Sequence, residues 1–246
     1  MGGLGKYINW PREPSASGFM IVSTVYALIL QHAGVKAWVA GLALLLLHLF
    51  TFDPILNAAR TWDMRVMSVL AALNVAPYLL ILATGNTSLI PVLSISIVIL
   101  GIHFYTVSRR KWRDPLVYIT GSAIPVLASL VIPVASTGFI SSRALVFWAL
   151  TTIHVVATAA YIESLLPFRE FTPKGGLLLW IPAYLFIPYN PLILIALVEP
   201  TVKFSRQALK PVKLDFSPLE LRRLGWREFA RFMIYTTLLL AILMTA

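Results

Sequence analysis

The stretch His103–Asp114, HFYTVSRRKWRD, ends an apolar run abruptly: Arg109, Arg110, Lys111 and Arg113 put four cations within five positions. Residues 88–107 before it and 115–136 after it are almost wholly apolar. Two runs of about 20 apolar residues around a basic turn are the pattern of a membrane-spanning hairpin, with the turn on the cytoplasmic side where Lys and Arg accumulate.

The rest of the chain has the same character. Its residues are 59% hydrophobic and 12% charged, with a mean hydropathy of +0.82; about 45–50% apolar is usual for a soluble domain. A chain of 246 residues holds at most about ten spans of roughly 20 residues each. Apolar runs place spans near 17–32, 36–52, 65–84, 88–107, 115–136, 143–165, 175–188, 190–207 and 229–245. This predicts an all-α polytopic transmembrane helical bundle of eight or nine spans, in one domain covering 1–246. The seventh and eighth segments are short, so they are either two spans or one re-entrant hairpin. The separators carry turn chemistry: Ala33-Gly34, Gly85-Asn86, Thr137-Gly138, Gly175-Gly176 and Asn190-Pro191.

The net charge of +10 would suggest nucleic acid in a soluble chain. Here the cations lie between apolar runs, where they face lipid headgroups and set topology; nucleic acid is not an expected partner. With the N-terminus inside, eighteen Lys and Arg fall on or near the inner face and only Lys36 and Arg143 outside. All ten acidic residues fall on or near that face as well. The expected location is the cell membrane, multi-pass, with a cytoplasmic N-terminus. The first sixteen residues lack the layout of a cleaved signal peptide, so the first span is expected to be retained. Zero cysteines exclude disulfides, thiolate metal sites and cysteine nucleophiles. Ser217-Pro218-Leu219-Glu220 has the form of a capping box with proline at the first helical position. It predicts a short interfacial helix turning near Gly225 into the last span.

Polar residues that could carry chemistry collect in the inner loops. Loop 2–3, FDPILNAARTWDMR, holds Asp53, Asn57, Arg60 and Asp63; loop 4–5 holds Arg109 and Arg110; loop 6–7, YIESLLPFREFTPKG, holds Glu163 and Arg169. Hard cations take oxygen ligands and guanidinium forks take phosphate. Asp53, Asn57, Asp63 and Glu163 are thus candidate Mg²⁺ ligands, and Arg60, Arg109, Arg110 and Arg169 candidate phosphate binders. The alternative is that Asp53, Asp63, Glu163 and Glu170 pair with neighbouring arginines and hold the helix ends together.

Pro11-Arg12-Glu13 before the first span, Asp53-Pro54-Ile55-Leu56 leading to Arg60, Tyr105 followed by Arg109-Arg110, and Tyr161-Ile162-Glu163 resemble the YwiC-like family of membrane proteins. Nine spans with polar loops 2–3 and 6–7 on one face resemble the UbiA superfamily of intramembrane prenyltransferases. That resemblance implies a UbiA-like bundle with a cavity for an isoprenoid or lipid diphosphate, opening between loops 2–3 and 6–7 and using Mg²⁺. The chain departs from both patterns. Loop 2–3 has only Asp53 and Asp63 where UbiA enzymes have an N-D-x-x-D-x-x-x-D motif, and loop 6–7 has Glu163 and Glu170 in place of D-x-x-x-D. Pro14 and Ser15 stand where YwiC-like proteins have histidine and glycine. The sequence therefore leaves open whether the chain is an enzyme.

Two other classes stay in view. His48 and His103 lie near the inner ends of their spans, as paired histidines do in a b-type haem subunit. Pro77, Pro125, Pro133 and Pro182 fall within spans, where kinks could surround a transport cavity.

Overall fold

The structure, a computed structural model, describes residues 7–9, 14–61, 63–109, 114–215 and 217–246. Among them every regular element is helical: α1 (Pro14–Leu30), α2 (Val35–Thr61), α3 (Met64–Ala83), α4 (Leu89–Arg109), α5 (Pro115–Ser122), α6 (Ile124–Thr137), α7 (Ser142–Leu165), α8 (Gly175–Trp180), a 3₁₀ segment (Ile181–Phe186), α9 (Ile193–Leu209) and α10 (Pro218–Met244). Five stretches are long and apolar enough to cross a membrane: Val35–Ala59, Met64–Ala83, Leu89–Arg109, Pro115–Thr137 and Ser142–Leu165.

Four features depart from the sequence reading. What reads as loop 2–3 is mostly helix, because α2 continues through Pro54 to Thr61. Proline cannot donate to the carbonyl four residues back, and that carbonyl, Phe50 O, instead accepts the backbone N–H of Asn9 at 2.9 Å. The fifth span is two helices broken at Ala123, just before Pro125. The seventh is α8 followed by 3₁₀ turns rather than one α-helix. Six α-helical and six 3₁₀ residues rise only about 21 Å, short of the roughly 30 Å hydrocarbon core. Finally, α10 runs through Gly225 without a turn, so the expected interfacial helix and last span are one 27-residue element.

Helix starts follow their capping residues. Asp63 accepts Val66 N–H at 3.2 Å, Asp114 accepts Leu116 N–H at 2.9 Å ahead of Pro115, and Ser141 accepts Ala144 N–H at 3.1 Å. Ser217 accepts Glu220 N–H at 3.1 Å, the serine half of the expected capping box. Gly138 stops α6 in the left-handed region, φ 83°, which a side chain would strain.

Packing divides the bundle into two cores joined by α1. One gathers α2, α3, α4 and α6 around Leu49, Leu89 and Ile132, and takes Met20 from α1. The other gathers α7, α8, α9 and α10 around Phe147, Trp180, Phe204 and Leu239, and takes Ala27 and Leu30 from α1. Every residue of α6 from Pro125 to Ala135 is buried, so α6 is central. By contrast α3 and α4 expose Leu73, Leu80, Ile97, Val98 and Ile102. An apolar surface of this extent suits lipid rather than water.

Hydrogen bonds between elements join ends that the topology puts on one side. At one end Thr137 donates to Gln31 (3.3 Å), Asn86 to Val134 O (3.2 Å) and Asn190 to Ile242 O (3.3 Å). At the other, Leu214 N–H donates to Leu165 O (2.9 Å) and Lys213 Nζ to Leu166 O (3.1 Å). The second end carries the exposed cations Arg65, Arg109, Lys174, Arg206 and Lys210. We call it the basic end.

Candidate functional site

The candidate metal ligands are placed apart in character and in packing. Asp53 and Asn57 sit four residues apart on α2, yet Asp53 is buried and Asn57 exposed. Asp63 is engaged as the N-cap of α3. Glu163, near the end of α7, is buried against Arg169, whose Nε lies 3.0 Å from its Oε2. The pair is held by charge, since neither atom makes an aligned hydrogen bond. Around the end of α2 the packing cluster is Ala58, Val66 and Leu70, whereas α7 near Glu163 packs through Ala159 and Ala160 on Ile119. Among the described residues no three His, Asp or Glu side chains form a group that would hold a metal ion.

Of the candidate phosphate binders, Arg109 is exposed with its guanidinium 5.7 Å from the centre of the Tyr105 ring. Arg169 is engaged by Glu163 and lies 5.5 Å from the centre of the Phe168 ring. Arg110, and the Pro11-Arg12-Glu13 triplet, lie outside the described residues, as does the side chain of Arg60.

His48 and His103 are held by neighbouring helices. His48 Nε2 shares a 2.5 Å hydrogen bond with the Tyr78 hydroxyl on α3. His103 Nδ1 shares one of 3.1 Å with Thr120 on α5 and packs on Gly121. Each already has a hydroxyl partner of the kind that joins helices in membranes.

The strongest concentration of buried charge lies elsewhere, between α7, α9 and α10. Lys203 on α9 is almost fully buried, and its Nζ donates to Glu228 Oε2 on α10 at 2.9 Å and to Thr158 Oγ1 on α7 at 3.3 Å. The same ammonium lies 4.6 Å from the centre of the Phe204 ring and 5.2 Å from that of Tyr161, a partial cage of aromatic faces that suits a cation. The other carboxylate oxygen of Glu228 accepts from Arg231 Nη1 at 2.6 Å. Arg231 Nε in turn lies 3.2 Å from Glu199, which is half exposed. An unbroken ladder of four charges, Lys203, Glu228, Arg231 and Glu199, thus runs from the Thr158 hydroxyl in the bundle interior to its surface.

Local structure explains the ladder. Glu199, Lys203, Arg206 and Gln207 recur at helical spacing and share one side of α9. Glu228 and Arg231 are three apart on α10 and pair along it. At Gly176 on α8 an added Cβ would stand 3.1 Å from Ala157 O and from Phe204 Cδ1; without one, α8 lies directly on α7. One turn from Thr158 along α7, His154 stacks on Tyr235 with ring centres 4.2 Å apart, and Trp180 meets it edge-on at 5.8 Å.

Sequence reasoning counted Lys203, Glu228 and Arg231 as inner-loop charges and missed them as a site. The available signal was depth. Lys203 is ten residues inside α9 and Glu228 ten inside α10, and an ionisable residue inside a helix of an apolar bundle is a candidate for function.

Comparison with protein-family models, with curated proteins and with solved structures found no match.

Proposed function

We propose that the chain is a multi-pass integral membrane protein whose basic end faces the cytoplasm and engages the phosphate of an isoprenoid or other lipid. The observation that supports this reading is the rim of exposed cations at one end, Arg65, Arg109, Lys174, Arg206 and Lys210, opposite an end whose cations, among the described residues, are Lys36 and Arg143. Such a rim suits anionic headgroups, each cation contributing about 1 kcal/mol near a charged surface. The resemblance of loops 2–3 and 6–7 to those of the UbiA superfamily is the ground for the same ligand class. In this reading nine segments cross or enter the bilayer, with α8 and its 3₁₀ continuation reaching part of the way. Arg109, Arg110 and Arg60 hold the phosphate, and Asp53 draws the Mg²⁺ that accompanies it, since Asp63 and Glu163 are engaged elsewhere.

Orientation is tested with single cysteines, since the chain has none of its own. In intact cells an impermeant thiol reagent is expected to label Thr87→Cys nearly completely and Lys210→Cys hardly at all, with Lys210→Cys labelled only after permeabilisation. The reverse pattern would invert the topology.

Ligand class is tested by thermal unfolding of detergent-solubilised protein against prenyl diphosphates, with and without Mg²⁺. A ligand at a hundredfold excess over its dissociation constant stabilises the folded state by about 2.7 kcal/mol. The expected result is a Mg²⁺-dependent rise in Tm that Asp53→Asn or Arg109→Ala removes. No rise with any diphosphate, in folded protein, would sink the phosphate reading.

Transport is the second reading, favoured by the buried Lys203–Glu228 pair and by the two interrupted spans, α5–α6 and α8 with its 3₁₀ turns. Broken helices and intramembrane charges are how membrane carriers build sites inside the bilayer.

A further inference from the structure

We propose that His154 is a proton-binding site inside the bundle, loaded from the basic end through Glu228 and Lys203. The first observation is the ladder itself. Its outer member, Glu199, reaches the surface, and its inner end is Thr158, which accepts from Lys203 and lies one helical turn from His154 on α7. The second observation is independent. His154 is almost wholly buried, yet its Nδ1 has no hydrogen-bond partner in the protein. Thr151, one turn further along α7, and Thr24 on α1 are fully buried with equally unpartnered hydroxyls. Buried polar atoms left without partners inside a membrane bundle cost free energy, and an unpartnered His154 Nδ1 one turn beyond the inner end of the ladder points to a site for a proton.

The groups around His154 define the step. Lys203 on α9 and Glu228 on α10 are the nearest charged pair, and Arg231 and Glu199 continue behind them. Tyr235 stacks on the imidazole, while Trp180 from α8 and Phe232 from α10 complete the wall. No residue of α1 or α8 is charged, and the one titratable group on α1, the Tyr26 hydroxyl, is engaged by Thr237 at 2.9 Å.

In the resting state Lys203 is charged and held by Glu228, and His154 is neutral with its proton on Nε2, which leaves Nδ1 an acceptor. A proton from cytoplasmic water neutralises the Glu228 carboxylate, and Lys203 loses its counter-charge. The flexible four-carbon stem lets the ammonium move along α7. One Nζ–H bond breaks and one Nδ1–H bond forms; the Glu228 O–H bond then breaks as its proton passes to the Lys203 amine, which restores the ion pair and leaves an imidazolium. One proton has entered and the cluster has gained one positive charge, which the face of Tyr235 stabilises.

The test is solid-state NMR of protein carrying ¹⁵N-imidazole histidine, reconstituted in liposomes. His154→Phe identifies its signals among the four histidines. The expected result is a switch of the His154 nitrogens from the neutral to the imidazolium pattern as the pH falls through the acid range, with an imidazole N–H that exchanges with deuterated water. Glu228→Gln is expected to slow that exchange on the order of a hundredfold, the scale of losing a positioned acid–base group. Thr158→Val, which removes only a hydroxyl contact of Lys203, gives a second arm should Glu228→Gln fold poorly. Nitrogen signals that stay the same across this range in the wild type, with an N–H as protected as the α7 amides, would overturn the proposal. The diphosphate-dependent rise in Tm is expected to be the same in His154→Phe as in the wild type, so each proposal stands or falls on its own measurement.

Discussion

Lys203→Met is expected to destabilise the protein by about 3–5 kcal/mol, the scale of breaking a buried ion pair by removing one partner. Glu228 remains behind with only about 4% of its side chain exposed, and Arg231 serves one of its two oxygens. The double variant Lys203→Met/Glu228→Met is expected to recover most of the loss, because apolar side chains of similar volume often replace a buried pair at little net cost. Thermal unfolding of the single and double variants in the same detergent makes the comparison. Glu199→Gln is the control: Glu199 is half exposed, so its pairing with Arg231 contributes at most about 1 kcal/mol. If Lys203→Met costs no more than Glu199→Gln, the ladder has no special energetic status and the site loses its main support.

That pair also marks the boundary of what could be read without coordinates. Five long apolar stretches were legible as runs between turn residues, and Ser217 announced the start of α10 through a side chain that caps its own backbone. Local signals of this kind need no tertiary knowledge. The continuation of α2 through Pro54 was not legible, because the carbonyl that proline leaves unpaired finds its partner in Asn9, some forty positions away. The break at Ala123 was foreshadowed only by Pro125, a residue that membrane helices tolerate in other places: α2, α3 and α9 all continue through prolines. The candidate site shows the same division. Asp53, Asn57, Asp63 and Glu163 were grouped by loop and by chemistry, but Asp63 caps α3 while Glu163 faces Arg169. Lys203, Thr158 and Glu228 come from three helices. Helical spacing along α9 and α10 could rank them as candidates but could not bring them together.

Trp180→Ala is expected to produce the other large loss, about 2–4 kcal/mol, below or at the lower end of the roughly 3–5 kcal/mol seen for large aromatic truncations in soluble cores. The discount has a physical reason: lipid tails are as apolar as the bundle interior, so returning apolar surface to them costs little, whereas an unfilled cavity and lost close contacts cost as much as in water. Trp180 is fully buried where α7, α8, α9 and α10 meet. Its indole lies within about 6 Å of the rings of His154, Phe204 and Tyr235, and its Nε1–H donates to Thr201 at 2.8 Å. From sequence, the short segment around it and the next one could together be a re-entrant hairpin, and removing both leaves the sidedness of every other span unchanged. Its side chain reverses that ranking, because the shortest apolar segment supplies the residue on which the C-terminal core closes. Trp180→Phe, which keeps a ring and gives up only the Thr201 hydrogen bond and part of the volume, is expected to lose less than half as much in the same unfolding assay. Near-equal losses for the two variants would mean that the hydrogen bond, not the packing, fixes this segment; no loss in either would mean that α8 does not seat on α7 as described.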